Sequence, residues 1–177
     1  MRPRVRKLAL IAHIAASVGW FGAVLTFLAL SVVGVTARDD QLVRAAYLVA
    51  EPVVWYVVVP FAVASLLTGL VSSLGSTWGL FRHYWVIFKL VLNVFATAVL
   101  LMYTRTVEQF AGIAADPGAD IGPLRTPTFL LHSGGALVVL VVAMVLAVYK
   151  PRGVTPYGAK AGSRVASRTP GASSARS

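Results

Sequence analysis

The sequence predicts an all-α integral membrane protein, with four transmembrane helices in one bundle, both termini cytoplasmic and a basic, disordered C-terminal tail. Three observations lead there. The 177 residues are 58% hydrophobic and only 12% charged, whereas about a quarter of the residues of a soluble domain are charged. The apolar residues fall into four blocks, each long enough to cross a hydrocarbon core of ~30 Å, which takes about 20 residues of helix. The basic residues, finally, gather on one side of those blocks.

That charge distribution also decides how to read the net charge of +10. Arg2, Arg4, Arg6 and Lys7 precede the first block, Arg82 lies between the second and third, and Lys150, Arg152, Lys160, Arg164, Arg168 and Arg176 follow the fourth, with no acid among them. The two other connections mix Arg38, Arg44, Arg105 and Arg125 with Asp39, Asp40, Glu108, Asp116 and Asp120. A flanking pattern of this kind is the positive-inside signature of a multi-pass cell-membrane protein and not a nucleic-acid footprint. With no cysteine, disulfides, thiolate metal sites, Fe–S clusters and covalent haem attachment are excluded.

The predicted transmembrane domain covers residues 1–149, with spans at about 8–37, 45–73, 84–104 and 127–149. Val35-Thr36-Ala37 resembles a signal-peptide cleavage site, but the apolar run before it is about 30 residues against 7–15 in a signal peptide, so it is expected to remain as a span. Within it Ala15, Gly19 and Ala23 make a small-residue stripe for close helix approach. His13, Ser17 and Trp20 share a neighbouring face. Asp39 and Asp40 are suited to cap the second helix, whose Pro60 is expected to kink it. Ser65, Gly69 and Ser73 form a second small-residue stripe.

Trp78, Phe81, Arg82, His83, Tyr84 and Trp85 read as an aromatic belt with a cytoplasmic charge, which makes His83 an interfacial residue. Inside the third span Lys89 and Asn93 lie one turn apart, on a face with Trp85. Residues 105–126, with Pro117-Gly118 and Gly122-Pro123, read as an exposed irregular loop. Residues 150–177 have a composition that builds no core. They are expected to rest on anionic inner-leaflet lipid, at about 1 kcal/mol per basic residue.

Ionisable groups inside a membrane are site candidates, and their depth sorts them. At ~1.5 Å per residue, His13 lies about 9 Å beyond Lys7 and Lys89 about 10 Å beyond Arg82, so the two share an inner tier. Glu51 and His132 lie about 10 Å past Arg44 and Arg125 and form an outer tier. The separation argues against His13 and His132 as the two ligands of one upright haem. Lys89 has a competing fate: its long stem can carry the ammonium out to the headgroups.

The His13, Ser17, Trp20 and Gly22 pattern, with Trp85-Val-Ile-Phe-Lys89-Leu in a later span, resembles the membrane superfamily of copper-resistance-D-type proteins and HemJ-type protoporphyrinogen oxidases. The Trp78-Gly-Leu-Phe-Arg-His83 and Lys150-Pro-Arg-Gly153 segments resemble small actinobacterial membrane proteins of that kind. The resemblance covers the four spans and not the tail. It implies haem b binding and oxidase activity at His13 and Lys89; Ser17 and Trp20 on the His13 face and Asn93 on the Lys89 face are the further candidate cofactor-binding residues. Met102 and Met144 lie on different helices and make no methionine-lined copper path. Three functions follow as expectations: a redox-cofactor protein at the His13/Lys89 tier, a small transport or ion-conducting subunit using Glu51 and His132, or a non-catalytic bundle that associates with itself or a membrane partner.

Overall fold

A computed structural model of the chain describes residues 3–75, 80–151, 153–156, 158 and 159. The helices are α1 (Pro3–Thr36), α2 (Asp40–Val53), α3 (Val59–Leu74), α4 (Tyr84–Ala115) and α5 (Thr128–Tyr149), with a π-helical turn at Val54–Val58 and a 3-10 turn at Gly122–Arg125. Since α2, the π turn and α3 run on as one rod, four helical units are long and apolar enough to cross a membrane. The first unit packs on the second and fourth, and the third does likewise, so the first and third face each other across the bundle. We call the end that carries Pro3 and Tyr149 the near end and the opposite one the far end.

Packing follows from a solvent without hydrogen bonds. Large side chains such as Leu8, Ile11, Val18, Phe95 and Val138 point outward, as lipid permits. Small and hydroxyl side chains sit inside: Ser31, Ser133 and Thr97 are buried, and each returns its proton to the carbonyl four residues back, at 2.7, 2.7 and 2.8 Å. Such back-bonding satisfies a hydroxyl where no water is present. The two small-residue stripes meet only in part. Gly19 faces the Phe61 ring and Gly69 faces His13, Ala23 is buried, and Ala15 is exposed.

At Pro60, where a kink is expected, the helix carries a π turn: Val59 N–H donates to Val54 O, five residues back. The wider turn relieves the crowding of the proline ring against the preceding turn, and the helix runs on to Leu74. Asp39 caps this rod as expected, its side chain accepting from Gln41 N–H at 3.0 Å.

Two expectations about the connections are corrected. The third unit does not end near Thr104 but continues to Ala115, because Val107, Ala111 and Ala114 keep a helical spacing and are buried against the bundle. The far-end loop is thus residues 116–127, and it is not fully exposed: Leu124 is 0% exposed. Nor is the segment after α5 without structure from its start. Thr155 N–H donates to Arg82 O at 2.9 Å, its hydroxyl to Phe81 O at 2.5 Å, and Val154 bridges His83. These bonds satisfy carbonyls that the turn before α4 leaves open. The remainder of the predicted tail, residues 160–177, and Trp78 of the predicted belt lie outside the described residues.

At the far end two arginines serve carbonyls rather than solvent. The Arg44 guanidinium donates to the oxygens of Ile113 (3.0 Å), Asp116 (2.5 Å) and Ala119 (2.7 Å), closing the C-terminus of α4. Arg125 donates to Ala37 O at 2.5 Å and to Asp40 Oδ1 at 3.0 Å. Helix ends expose unpaired carbonyls and a partial negative charge, and a guanidinium fork answers both. Arg44→Leu is expected to destabilise the detergent-solubilised protein by about 1–3 kcal/mol. Arg44→Lys should recover only part of this, as read by thermal unfolding, since an ammonium does not span three carbonyls.

Candidate functional site

The inner-tier pair predicted from depth is formed. His13 on α1 and Lys89 on α4 lie across the bundle from one another, and the lysine stem bridges the gap to bring Nζ within 3.4 Å of His13 Nε2. Lys89 is therefore turned inward and does not snorkel. It has no carboxylate within ion-pair distance among the described residues.

The other side of the imidazole defines its chemistry. Nδ1 is 3.1 Å from Ser65 O and 3.3 Å from Thr68 Oγ1. A carbonyl only accepts, so Nδ1 carries the hydrogen and Nε2 presents its lone pair to Lys89. Thr68 spends its own proton on Ala64 O at 2.6 Å. That leaves its lone pairs for the imidazole. Ser17, one turn along α1 from His13, reaches Ser65 Oγ at 2.9 Å. Close approach of α1 to α3 depends on Gly69, where a Cβ would stand 2.9 Å from His13 Cε1.

Electrostatics limits what the pair can hold. Two cations 3.4 Å apart repel by about 5 kcal/mol at an effective dielectric of about 20. His13 and Lys89 together therefore carry at most one positive charge. Asn93, one turn from Lys89, is 7% exposed, and its Oδ1 has no hydrogen-bond partner. It is a buried acceptor beside the pair and not bonded to it. Trp20 is buried in the apolar core two turns from His13.

The outer tier is not a pair. Glu51 lies on the second unit and His132 on the fourth, across the bundle, and no contact joins them among the described residues. His132 instead bonds Thr128 O through Nδ1 at 2.8 Å and stacks on Tyr103, with centroids 3.9 Å apart. The two rings line one end of an apolar cavity of about 360 Å³ between α1, the π turn, α4 and α5. Neither His13 nor Lys89 lines it. Residue spacing alone did not find Tyr103 or Thr68. Thr68 carried a signal, a hydroxyl three residues after Ser65 in an apolar span, while the Tyr103 contact spans two helices and leaves none.

Set against known proteins, the chain matches no family model, no curated protein and no solved structure. Its chemistry is therefore read from these side chains.

Gly69→Ala is expected to displace the imidazole from Ser65 while the helices persist. In ¹⁵N spectra of histidine-labelled protein the His13 Nδ1–H tautomer should give way to a tautomer mixture. An unchanged spectrum would show that Gly69 does not seat the ring.

Proposed function

We propose that this chain is a multi-pass membrane protein whose working centre is the His13–Lys89 pair, where a proton is passed between the lysine nitrogen and the imidazole as part of a transport step through the bundle. One observation carries the reading: Lys89 Nζ lies 3.4 Å from His13 Nε2, without a carboxylate to neutralise it. A buried ammonium held only by a neutral imidazole is costly, and such groups in membranes mark proton and ion paths. The pair has what proton passage needs: a donor and an oriented acceptor. The unpartnered Oδ1 of Asn93 supplies a second acceptor within one helical turn of Lys89. With both termini in the cytoplasm, as the flanking charges favour, the pair opens toward the cytoplasmic leaflet.

The haem implied by the resemblance meets these residues less well. Nδ1–H on a backbone carbonyl is the orientation that ligating histidines adopt. However, the Nε2 lone pair that would take a metal already faces Lys89 Nζ at 3.4 Å, and an ammonium offers no lone pair of its own.

Reconstituted in liposomes with an entrapped pH dye, the protein is expected to dissipate an imposed pH gradient. Lys89→Met and His13→Phe should each lower the rate at least tenfold, and Asn93→Leu by a smaller factor. Liposomes as tight as protein-free ones would overturn the reading. So would purified protein with a Soret band that Lys89→Met keeps and His13→Ala loses, which would establish the haem reading in its place.

A further inference from the structure

The cavity at the far end has a shape and a chemistry of its own, independent of the His13–Lys89 pair. Along α4 its wall runs from Phe95 to Val107, and along α5 from Leu131 to Val139. At ~1.5 Å per residue this is a slot roughly 12–18 Å long, parallel to the helices. Its walls are almost wholly apolar, and Gly135 leaves one wall open: a Cβ there would meet nothing within 4 Å. Such a slot, side-on to lipid and in the size range of small-molecule sites, accepts an apolar chain.

Its polar groups differ in what they have left to offer. Thr104 and Ser133 give their hydroxyl protons to Leu101 O at 2.8 Å and Phe129 O at 2.7 Å and have no donor left. His132 is not spent. Its Nδ1–H is committed to Thr128 O at 2.8 Å, so Nε2 is an acceptor, and no hydrogen bond reaches it among the described residues. The ring is held rigidly, stacked within 17° of parallel on Tyr103, whose own hydroxyl is 2.9 Å from Thr128 Oγ1. This is a pre-organised acceptor beside an apolar slot, and an acceptor in a lipid setting is costly until a donor arrives.

We infer that this slot binds a lipid-soluble phenol, a monophenol or hydroquinone head on an apolar tail, with the head hydroxyl donating to His132 Nε2 and the tail lying along α4 toward Phe95. The head hydroxyl supplies the donor that this ring nitrogen has not met. Phe27, Phe95 and Tyr103 among the lining residues offer aromatic surface to a ring. A diacyl phospholipid brings two tails and a charged phosphate, which the almost wholly apolar lining does not answer.

The test uses full-length protein in phosphatidylcholine nanodiscs with two probes, 4-nonylphenol and its methyl ether, which differ only in the donor. Affinity is read from the shift of the thermal unfolding midpoint with probe concentration, and contact from the ¹⁵N resonance of His132 Nε2. The phenol is expected to bind about tenfold tighter than the ether, the worth of one hydrogen bond, and to move the Nε2 resonance, which the ether leaves in place. His132→Phe keeps a ring for Tyr103 to stack on and should make the two probes equal. Gly135→Leu fills the open wall and should abolish both. Equal affinity of the two probes for the unmodified protein, an unmoved Nε2 resonance or no binding of either would overturn the inference. So would undiminished phenol binding by Gly135→Leu.

Discussion

Hydrocarbon offers no hydrogen bonds, and every polar atom that the bundle takes into it has to find its partner inside the protein. That constraint runs through the whole molecule. Buried serines and threonines turn back on their own helix, and the π turn before Pro60 keeps Val59 N–H bonded to Val54 O. Arg44 and Arg125 close helix ends that would otherwise leave carbonyls bare. A soluble bundle of the same length leaves many of these groups to water.

Seen against this economy of partners, the exceptions stand out. Lys89 is an ammonium with an imidazole where a carboxylate would ordinarily be. Asn93 keeps an acceptor with nothing to accept, and His132 keeps one beside an apolar slot. Elsewhere the chain satisfies comparable groups with local bonds, so geometry did not prevent it here. Lys89 and Asn93 lie toward the near end, as does Ser72, whose buried hydroxyl also lacks a partner, and His132 lies at the slot.

The two sites also share a device. In each, Nδ1–H of a histidine is fixed on a backbone carbonyl, Ser65 O for His13 and Thr128 O for His132. This sets the tautomer and presents Nε2 as an acceptor. What differs is the side to which Nε2 is offered. At His13 it meets the bundle interior and a lysine; at His132 the ring borders the slot between α1, the π turn, α4 and α5. One side chain therefore meets two different surroundings because helix neighbours, not the residue, choose its partner.

The four spans and the Asp39 cap were legible in the sequence because they depend on local properties: apolar run length and capping chemistry. The common depth of His13 and Lys89 was legible too, since helical rise converts residue counts into distance and both spans begin at a charged flank. The far end misled for the same reason. Glu51 and His132 share a depth, but depth says nothing of azimuth around the bundle, and their helices stand across from each other. Residues 105–115 carry charges and a glycine that read as loop, yet tertiary burial of Val107 and Ala111 keeps them helical. By itself, then, the sequence determined which segments are helical rods in a membrane and which polar residues lie at one level. Only the tertiary structure decided which way Lys89 turns, what orients His13 and that His132 faces a slot, because each is a contact between helices far apart in the chain.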